Sequence, residues 1–511
     1  MTLALTGRSW IAGLRSAGSA PAGRAIEAAT GRPLEPLYLE ATDGELDRAC
    51  RAAAEAFEST ELTEISRRAA LLRAVADRIE ALGEPLLERA HLETALPMDR
   101  MRTERGRTCG QLRFFASLIE EGSWIGERLD PAQPQRTPLA KPEIRCFRVP
   151  IGPVAVFCAS NFPLAFSVAG VDTAAALAAG CPAVVHAHFA HPGTAEAIGT
   201  VITEAVAALG FPEGTFSLLY GAGHGVGRRL VEHPAIRAVG FTGSRAGGRA
   251  LMDLAARRPE PIPVYAEMSS VNPLFILPGA LAGRGAAIAR GLHSSATLGV
   301  GQFCTKPGLI FLERGAAAAS FERELAALYS ATAAQPMLHA GIRAGYEEKR
   351  RRVRAGARLV AQGAEPASPQ QAQAFLHAVE AERFLADPRH QEEVFGPSAL
   401  LVICDHHSQM LQCARSLEGQ LTATLHAEPS DRDSAHALAR ILVHRAGRLV
   451  WNGYPTGVEI SPAMVHGGPY PATSDSRSSS VGSLALERYS RWVSVQGAEG
   501  DALALALRKP Q

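Results

Sequence analysis

Two spacings of apolar residues alternate along the chain. From Ser66 onward, Leu72, Val75, Ile79 and Leu82 recur every three or four residues, which predicts a helix that Gly83 stops. A second helix is expected from Glu84 to Leu96, and the segment ERGRT (Glu104 to Thr108) falls in a further helical stretch. Everything before these helices reads as a Gly/Pro-containing lead. After a polar, proline-rich passage from Asp130 to Pro150, the rhythm changes. Short apolar runs predict strands at Val154–Phe157, Ala183–His186, Phe216–Leu219, Ala235–Phe241 and Ile262–Ala266. Ala-rich helical stretches, including Ser167–Ala179 and Thr194–Leu209, separate them. Strand–helix–strand units of this kind predict a parallel sheet covered by helices on both faces. A second α/β unit is expected after Glu267, with strands at Leu309–Leu312, within Glu393–Ile403, at Leu421–Ala427 and within Val481–Gln496.

Composition narrows the class without naming a chemistry. A chain of 511 residues exceeds one typical domain, so two or three are expected. Hydrophobic residues at 47% and charged residues at 20% exclude global disorder. Lys+Arg 52 against Asp+Glu 51 leaves a net charge of +1, which gives no signal for nucleic acid or a membrane surface. The richest apolar stretch, Val168 to Val185, is interrupted by Asp172, so no membrane span is expected. The eight cysteines are dispersed, without a CxxC pair or a zinc-like cluster. A reduced, cytoplasmic setting and no metal follow as expectations.

Several residues stand where chemistry is usually placed, each beside a plainer reading. YGAGHGVGRRL (Tyr220 to Leu230) follows a strand and precedes a helix, but Val226 occupies the third glycine position of a dinucleotide fingerprint. A tight turn explains it better. In GFTGSRAGG (Gly240 to Gly248), Ser244 stands at a helix start, where it either caps the helix or meets a pyrophosphate. Cys304, in the glycine-rich loop GVGQFCTKPG, is the best nucleophile candidate, and a nearby helix N-terminus would favour its thiolate. Glu267 ends the strand-like PIPVYAE, at the ligand edge of a parallel sheet. Asn161, in CASNFP, is placed to donate to a developing oxyanion or to form a turn. Arg102, Arg105 and Arg107 crowd one helical stretch, as a solvated face or as an anion site.

Taken together, these motifs resemble the aldehyde dehydrogenase superfamily, and more narrowly its branch of α-ketoglutaric semialdehyde (2,5-dioxopentanoate) dehydrogenases. NFPLAFSVAG, HPGT, GFTGSR, PIPVYAEM, VNP, GQFCT, EEVFGP, GGPYPATSDSR and SSVG occur in the family's order from about Asp43 to Gln496. The resemblance implies an α/β fold with a Rossmann-like cofactor domain, an α/β catalytic domain and a small β oligomerisation element. Residues 1–135 and 151–266 would form the NAD(P)-binding domain, 267–480 the catalytic domain, and 136–150 with 481–511 the bridging element. Cys304 would be the nucleophile, Glu267 the activator of thiol or water, and Asn161 part of the oxyanion site. Ser244 and Gly243 would lie at the pyrophosphate, Glu393 and Phe395 at the nicotinamide half, and His186 at the adenosine ribose.

The implied reaction is oxidation of α-ketoglutaric semialdehyde to 2-oxoglutarate with NAD or NADP, by a homodimer or homotetramer. Arg102, Arg105, Arg107 and Arg477 are the candidates for its terminal carboxylate. A fatty aldehyde would instead use an apolar channel near Phe162, Leu164 and Phe166. Four positions depart from the family pattern. His186 replaces a Lys, Ser269 a Gly near the nicotinamide, Lys306 the branch's Asn, and Val171 a common Gly. They leave open another aliphatic-aldehyde dehydrogenase or an attenuated dinucleotide-binding paralogue.

Overall fold

The computed structural model describes residues 3–59, 62 and 64–497. Five parallel strands build the first sheet: β1 (Val154–Phe157), β2 (Ala183–His186), β3 (Phe216–Leu219), β4 (Ala238–Thr242) and β5 (Val264–Glu267). Their order is β5-β4-β1-β2-β3, so the winding direction reverses between β1 and β4. Loops leave that point in opposite directions and open a crevice at the carboxyl ends of the strands. Helix α1 (Met98–Glu121) and helix α2 (Val171–Ala179) supply Leu112, Phe115, Ala174 and Ala178 to the core beneath β1 and β2. Helix α3 (Arg245–Ala256) follows β4.

The second sheet runs Arg358–Gln362, β8 (Phe375–Glu380), β9 (Ser398–Cys404), β7 (Leu309–Glu313), β6 (Leu274–Ile276), β10 (Gln420–His426) and β11 (Ala446–Trp451). Only its first strand is antiparallel. Apolar side chains fill both faces: Phe275, Phe311 and Val402 on one, Ile276, Ile310 and Leu401 on the other. This two-faced burial explains the continuous apolar runs.

Three expectations about boundaries change. The lead is not free of structure: Trp10–Ile11 and Leu14–Arg15 pair antiparallel and extend the first sheet past β3, and Pro21–Ile26 pairs with Pro33–Leu39. These strands are too short or too exposed to show alternation. In Glu393–Ile403 the strand begins only at Ser398, because Gly396 (φ +153°) and Pro397 break the ladder. In Val481–Gln496, residues Ser483–Tyr489 form a 3₁₀ turn and the strand begins at Ser490. That turn is pinned by burial: Tyr489 donates to Asp172 Oδ1 at 2.7 Å, and Arg488 pairs with the same oxygen at 2.7 Å.

Ser490–Gln496 pairs antiparallel with Ile144–Pro150, which in turn pairs with Arg128–Asp130. This three-stranded sheet therefore begins earlier than residue 136. Of the tail expected to join it, residues 498–511 lie outside the described residues. Among the described residues, no helix is long and apolar enough to cross a membrane.

The segment that carries Cys304 approaches its neighbour at backbone distance. Gly301 sits at φ +65°, and a Cβ there would lie 2.3 Å from the Gly396 carbonyl oxygen. Gly301→Ala should therefore cost about 2–4 kcal/mol through the positive φ and the backbone overlap together. Thermal unfolding would register this as a clear fall in Tm, and an unchanged Tm would refute the close approach.

Candidate active site

Four strands of the first sheet end in register. Phe157 pairs with His186 and with Phe241, while Thr242 pairs with Glu267. The edge they form faces the catalytic unit. Glu267, the last residue of β5, is bridged by Thr473, and the flanking bonds are Met268 N–H to Ala472 O (2.7 Å) and Ser474 N–H to Ala266 O (3.0 Å). The chain on both sides of this short pairing then brings His466 and Ser480 against the Glu267 carboxylate.

The resulting cluster joins the two halves of the molecule. Glu267 Oε1 lies 3.0 Å from His466 Nε2, and Ser480 Oγ donates to Glu267 Oε2 at 2.6 Å. His466 Nε2 also lies 3.5 Å from Cys304 Sγ. Polar atoms of Glu267, Cys304 and His466 thus lie within 4.8 Å of one another. His466 is fixed in turn: its N–H donates to Ser479 Oγ at 2.9 Å, and its carbonyl accepts from Ser480 N–H at 2.8 Å.

Electrostatics assign opposite protonation states to the two reactive groups. Burial alone would raise the Glu267 carboxyl. The charge of His466 and hydrogen bonds from His466, Ser480 and Cys304 outweigh it and hold the carboxyl below its ordinary value. The Cys304 thiol is pushed well above its ordinary value, first by burial and then by the Glu267 charge, with Arg107 pulling the other way. This corrects the expectation of a thiolate favoured by a helix N-terminus. Cys304 is followed by Pro307 and strand β7, and it faces a carboxylate. At neutral pH the resting state is a thiol beside an ionised Glu267.

Neighbouring polar groups hold the Cys304 loop. Asn272 Nδ2 donates to the carbonyls of Cys304 (2.9 Å) and Lys306 (3.0 Å). Asn161 Nδ2 donates to Gln302 O at 3.0 Å, which leaves its second N–H uncommitted. Lys306 Nζ, fully buried, donates to Val394 O (2.9 Å) and Ser398 O (2.8 Å). Desolvation lowers this amine to about 7. Lys306 thus ties the nucleophile loop to the segment that carries Glu393 and Phe395. Burial raises the Glu393 carboxyl, against Lys349, a Ser269 hydrogen bond and Lys306.

The candidate cofactor residues line the same strand edge. Ser244 caps α3 by accepting from Gly247 N–H at 3.1 Å, and Gly243 N–H donates to Glu267 O at 3.0 Å. The Ser269 hydroxyl accepts from Arg245 N–H at 3.3 Å and bonds Glu393, so this departure has a place in the structure. His186 ends β2 with its ring centroid 5.6 Å from that of Phe157. Desolvation lowers its imidazole to about 4, and its Nε2 is buried without a protein partner. That orphaned nitrogen and the solvent-exposed start of α3 fit a bound dinucleotide.

The substrate candidates separate. Arg107 is half-buried on the inner face of α1, its Nη2 enclosed, near the Phe162 and Phe166 rings. Phe166 packs edge-on to His466 with 6.2 Å between centroids. Arg102 and Arg105 point the other way: Arg102 pairs with Glu84 and Asp99 at the surface, and Arg105 donates to Gly83 O. Arg477 is solvent-facing and pairs with Asp475. None of these three reaches the Cys304 cluster, because helix periodicity or loop geometry turns each outward. His466 and Ser480 were missed. Their signal was the run VHGGPYPA and the serines of SRSSSVG, which carry no periodicity and no catalytic spacing of their own.

Comparison with known proteins agrees with this geometry. The profile described as "Aldehyde dehydrogenase family" matches residues 14–494. Alpha-ketoglutaric semialdehyde dehydrogenase 2 of Azospirillum brasilense is 49% identical, over 99% of this chain and 97% of the relative. Alpha-ketoglutaric semialdehyde dehydrogenase of Acinetobacter baylyi is 45% identical, over 96% and 93% respectively. In fold, the chain is similar to an NAD+ complex of an aldehyde dehydrogenase from Bacillus cereus, with TM-score 0.82 at 22% identity over 96% of each chain.

The protonation states generate a test. The negative charge of Glu267 opposes ionisation of Cys304, so Glu267→Gln should move the pH profile of Cys304 alkylation by iodoacetamide to lower pH. At a fixed pH near 8 the variant should alkylate faster while its steady-state turnover falls. A profile that stays put or moves to higher pH would show that the two groups are not coupled as described.

Proposed function

The chain belongs to the aldehyde dehydrogenase family, and we propose that its substrate is α-ketoglutaric semialdehyde, oxidised to 2-oxoglutarate with NAD+ or NADP+. The observation that carries the chemistry is the contact of Cys304 Sγ, His466 Nε2 and Glu267 in one buried cluster. Similarity to two semialdehyde dehydrogenases over nearly the full length carries the substrate.

Cys304 attacks the aldehyde carbon, and its thiol proton passes to the ionised Glu267 carboxylate to which the thiol is hydrogen-bonded. His466 Nε2, 3.0 Å from Glu267 Oε1, and Ser480 hold that carboxylate in place. The new oxyanion is received by the free amide N–H of Asn161, and the Asn272 bonds keep the Cys304 backbone in place to support it. Ser244, Gly243, His186, Glu393 and Phe395 are the residues that would hold the dinucleotide, which supplies the hydride acceptor when bound. With loss of the aldehyde hydrogen as hydride to that acceptor, the Cys304 adduct would become a thioester; water would then attack it, with Glu267 taking the water proton. Collapse returns Cys304 to the thiol and releases the acid.

His186 bears on the choice of dinucleotide. With an imidazole held at about 4, this position is neutral at pH 7 and offers no charge to a ribose phosphate. We therefore assign preference to NAD+. The three-stranded sheet of Arg128–Asp130, Ile144–Pro150 and Ser490–Gln496 is the proposed oligomerisation element. It exposes Leu129 and Trp492, at 50% and 40%.

Two measurements test the reading. Purified protein with the semialdehyde and NAD+ should form reduced cofactor and 2-oxoglutarate in equal amounts, and Cys304→Ala should lower the rate by about a thousandfold or more. Product absent from the wild type, or unchanged in Cys304→Ala, would reject it. His186→Lys should raise kcat/KM for NADP+ about tenfold by restoring a cation. A ratio of NADP+ to NAD+ use that does not move would refute the placement of His186.

A further inference from the structure

Helix α1 carries arginines on two faces, and the inner face has unmet hydrogen-bonding capacity. Positions 100, 104, 107, 108 and 111 follow one another at helical spacing and so share a face. The carboxylate among them is already committed. Glu104 Oε1 accepts from Leu164 N–H (2.9 Å) and Ala165 N–H (3.1 Å), and Arg100 pairs with its other oxygen at 3.3 Å. Arg107 and Gln111 are not so engaged. Arg107 Nη2 is buried without a partner, and so are both Oε1 and Nε2 of Gln111, a residue only 3% exposed. Both side chains line a narrow cleft between α1 and the start of α2, walled by Thr108, Ala165, Gly170 and Val171.

Leaving such groups unpaired in a protein interior is costly, and a fold that keeps three of these atoms together around one cleft has a use for them. The donors suit an anion with a second oxygen acceptor beside it. A carboxylate takes Arg107 Nη2 and one N–H of Gln111, and an adjacent carbonyl oxygen takes the other. Arg107 also stands near the reacting atoms: its guanidinium carbon lies 5.7 Å from the centre of the Phe166 ring, which packs on His466, and its charge acts on Cys304.

We propose that Arg107 and Gln111 form the subsite that selects the substrate, by binding the 2-oxo-carboxylate end of the semialdehyde while its aldehyde carbon reaches Cys304. This rests on the substrate reading above. Gln111 carries no charge and lies outside the Cys304 cluster, so it separates recognition from chemistry. Arg107 contributes to both.

The test compares the semialdehyde with pentanal, which has the same five-carbon chain and no carboxylate, and adds inhibition by 2-oxoglutarate. Gln111→Leu should lower kcat/KM for the semialdehyde on the order of 10- to 100-fold, mainly through KM, and weaken 2-oxoglutarate inhibition in parallel. Its effect on pentanal should be at least about tenfold smaller. Arg107→Met should lose about 100-fold on the semialdehyde, with part regained in Arg107→Lys. Equal losses on both aldehydes in Gln111→Leu, or none on either, would overturn the subsite. Should Arg107→Met fail to fold, Gln111→Leu decides alone. A wild type that oxidises pentanal but makes no 2-oxoglutarate would sink the substrate reading and this inference together. A selective wild type whose variants stay selective sinks only the inference.

Discussion

A carboxylate buried at the end of a strand is the constraint from which the site is built. Glu267 is 3% exposed, and a charge in that position persists only with partners at short range. The fold supplies them by pairing Thr473 with Glu267 across an isolated bridge. That places Ser480 on one carboxylate oxygen and His466 on the other. Because His466 is held by the backbone and hydroxyls of the same segment, its ring has little freedom to leave Cys304. The partners that keep Glu267 ionised therefore also hold it within hydrogen-bonding reach of the Cys304 thiol.

The second constraint is the joining of the nucleophile loop to the segment bearing Glu393. Gly301 meets Gly396 at backbone distance, and the Lys306 amine bonds carbonyls on both sides of that glycine. Burial strips the Lys306 amine of water and the Arg354 charge opposes its own, which together bring it to about 7 despite Glu393. Lys306 therefore differs from the expected Asn in reach more than in charge: its longer stem spans from the Cys304 loop to Val394. Through these bonds the Cys304 loop and the Glu393 segment are held at a fixed spacing.

How far the sequence alone could be read follows from where each signal lay. The buried strands β1, β2, β3 and β7 were legible because burial on both faces leaves continuous apolar runs. The strands at Trp10–Ile11 and Leu14–Arg15 were not, since two-residue strands have no period to detect. Cys304, Glu267 and Asn161 stood in local contexts that carry their own physical rationale. His466 and Ser480 did not, because they join the cluster only through pairing across about 200 residues of chain. The expectation for the Cys304 thiol had the wrong sign for the same reason: the group that raises it, Glu267, is close in space alone.

The arginines of α1 show the remaining gap between composition and site. Arg102, Arg105 and Arg107 are one residue type within six positions, and a count of charges cannot rank them. Helix geometry does. Arg102 faces water and finds Glu84 and Asp99, where an ion pair is screened and adds little. Arg107, five residues on, is turned into the protein, its stem against Phe162 and Phe166 and one nitrogen unpaired. There a single charge acts through a medium that screens it poorly, so it both attracts an anion and eases ionisation of Cys304. A chain with a net charge of +1 can therefore set one poorly screened guanidinium beside its reactive cysteine. Under the proposal for Arg107 and Gln111, affinity for a small dianionic product follows from the few ångströms around that group.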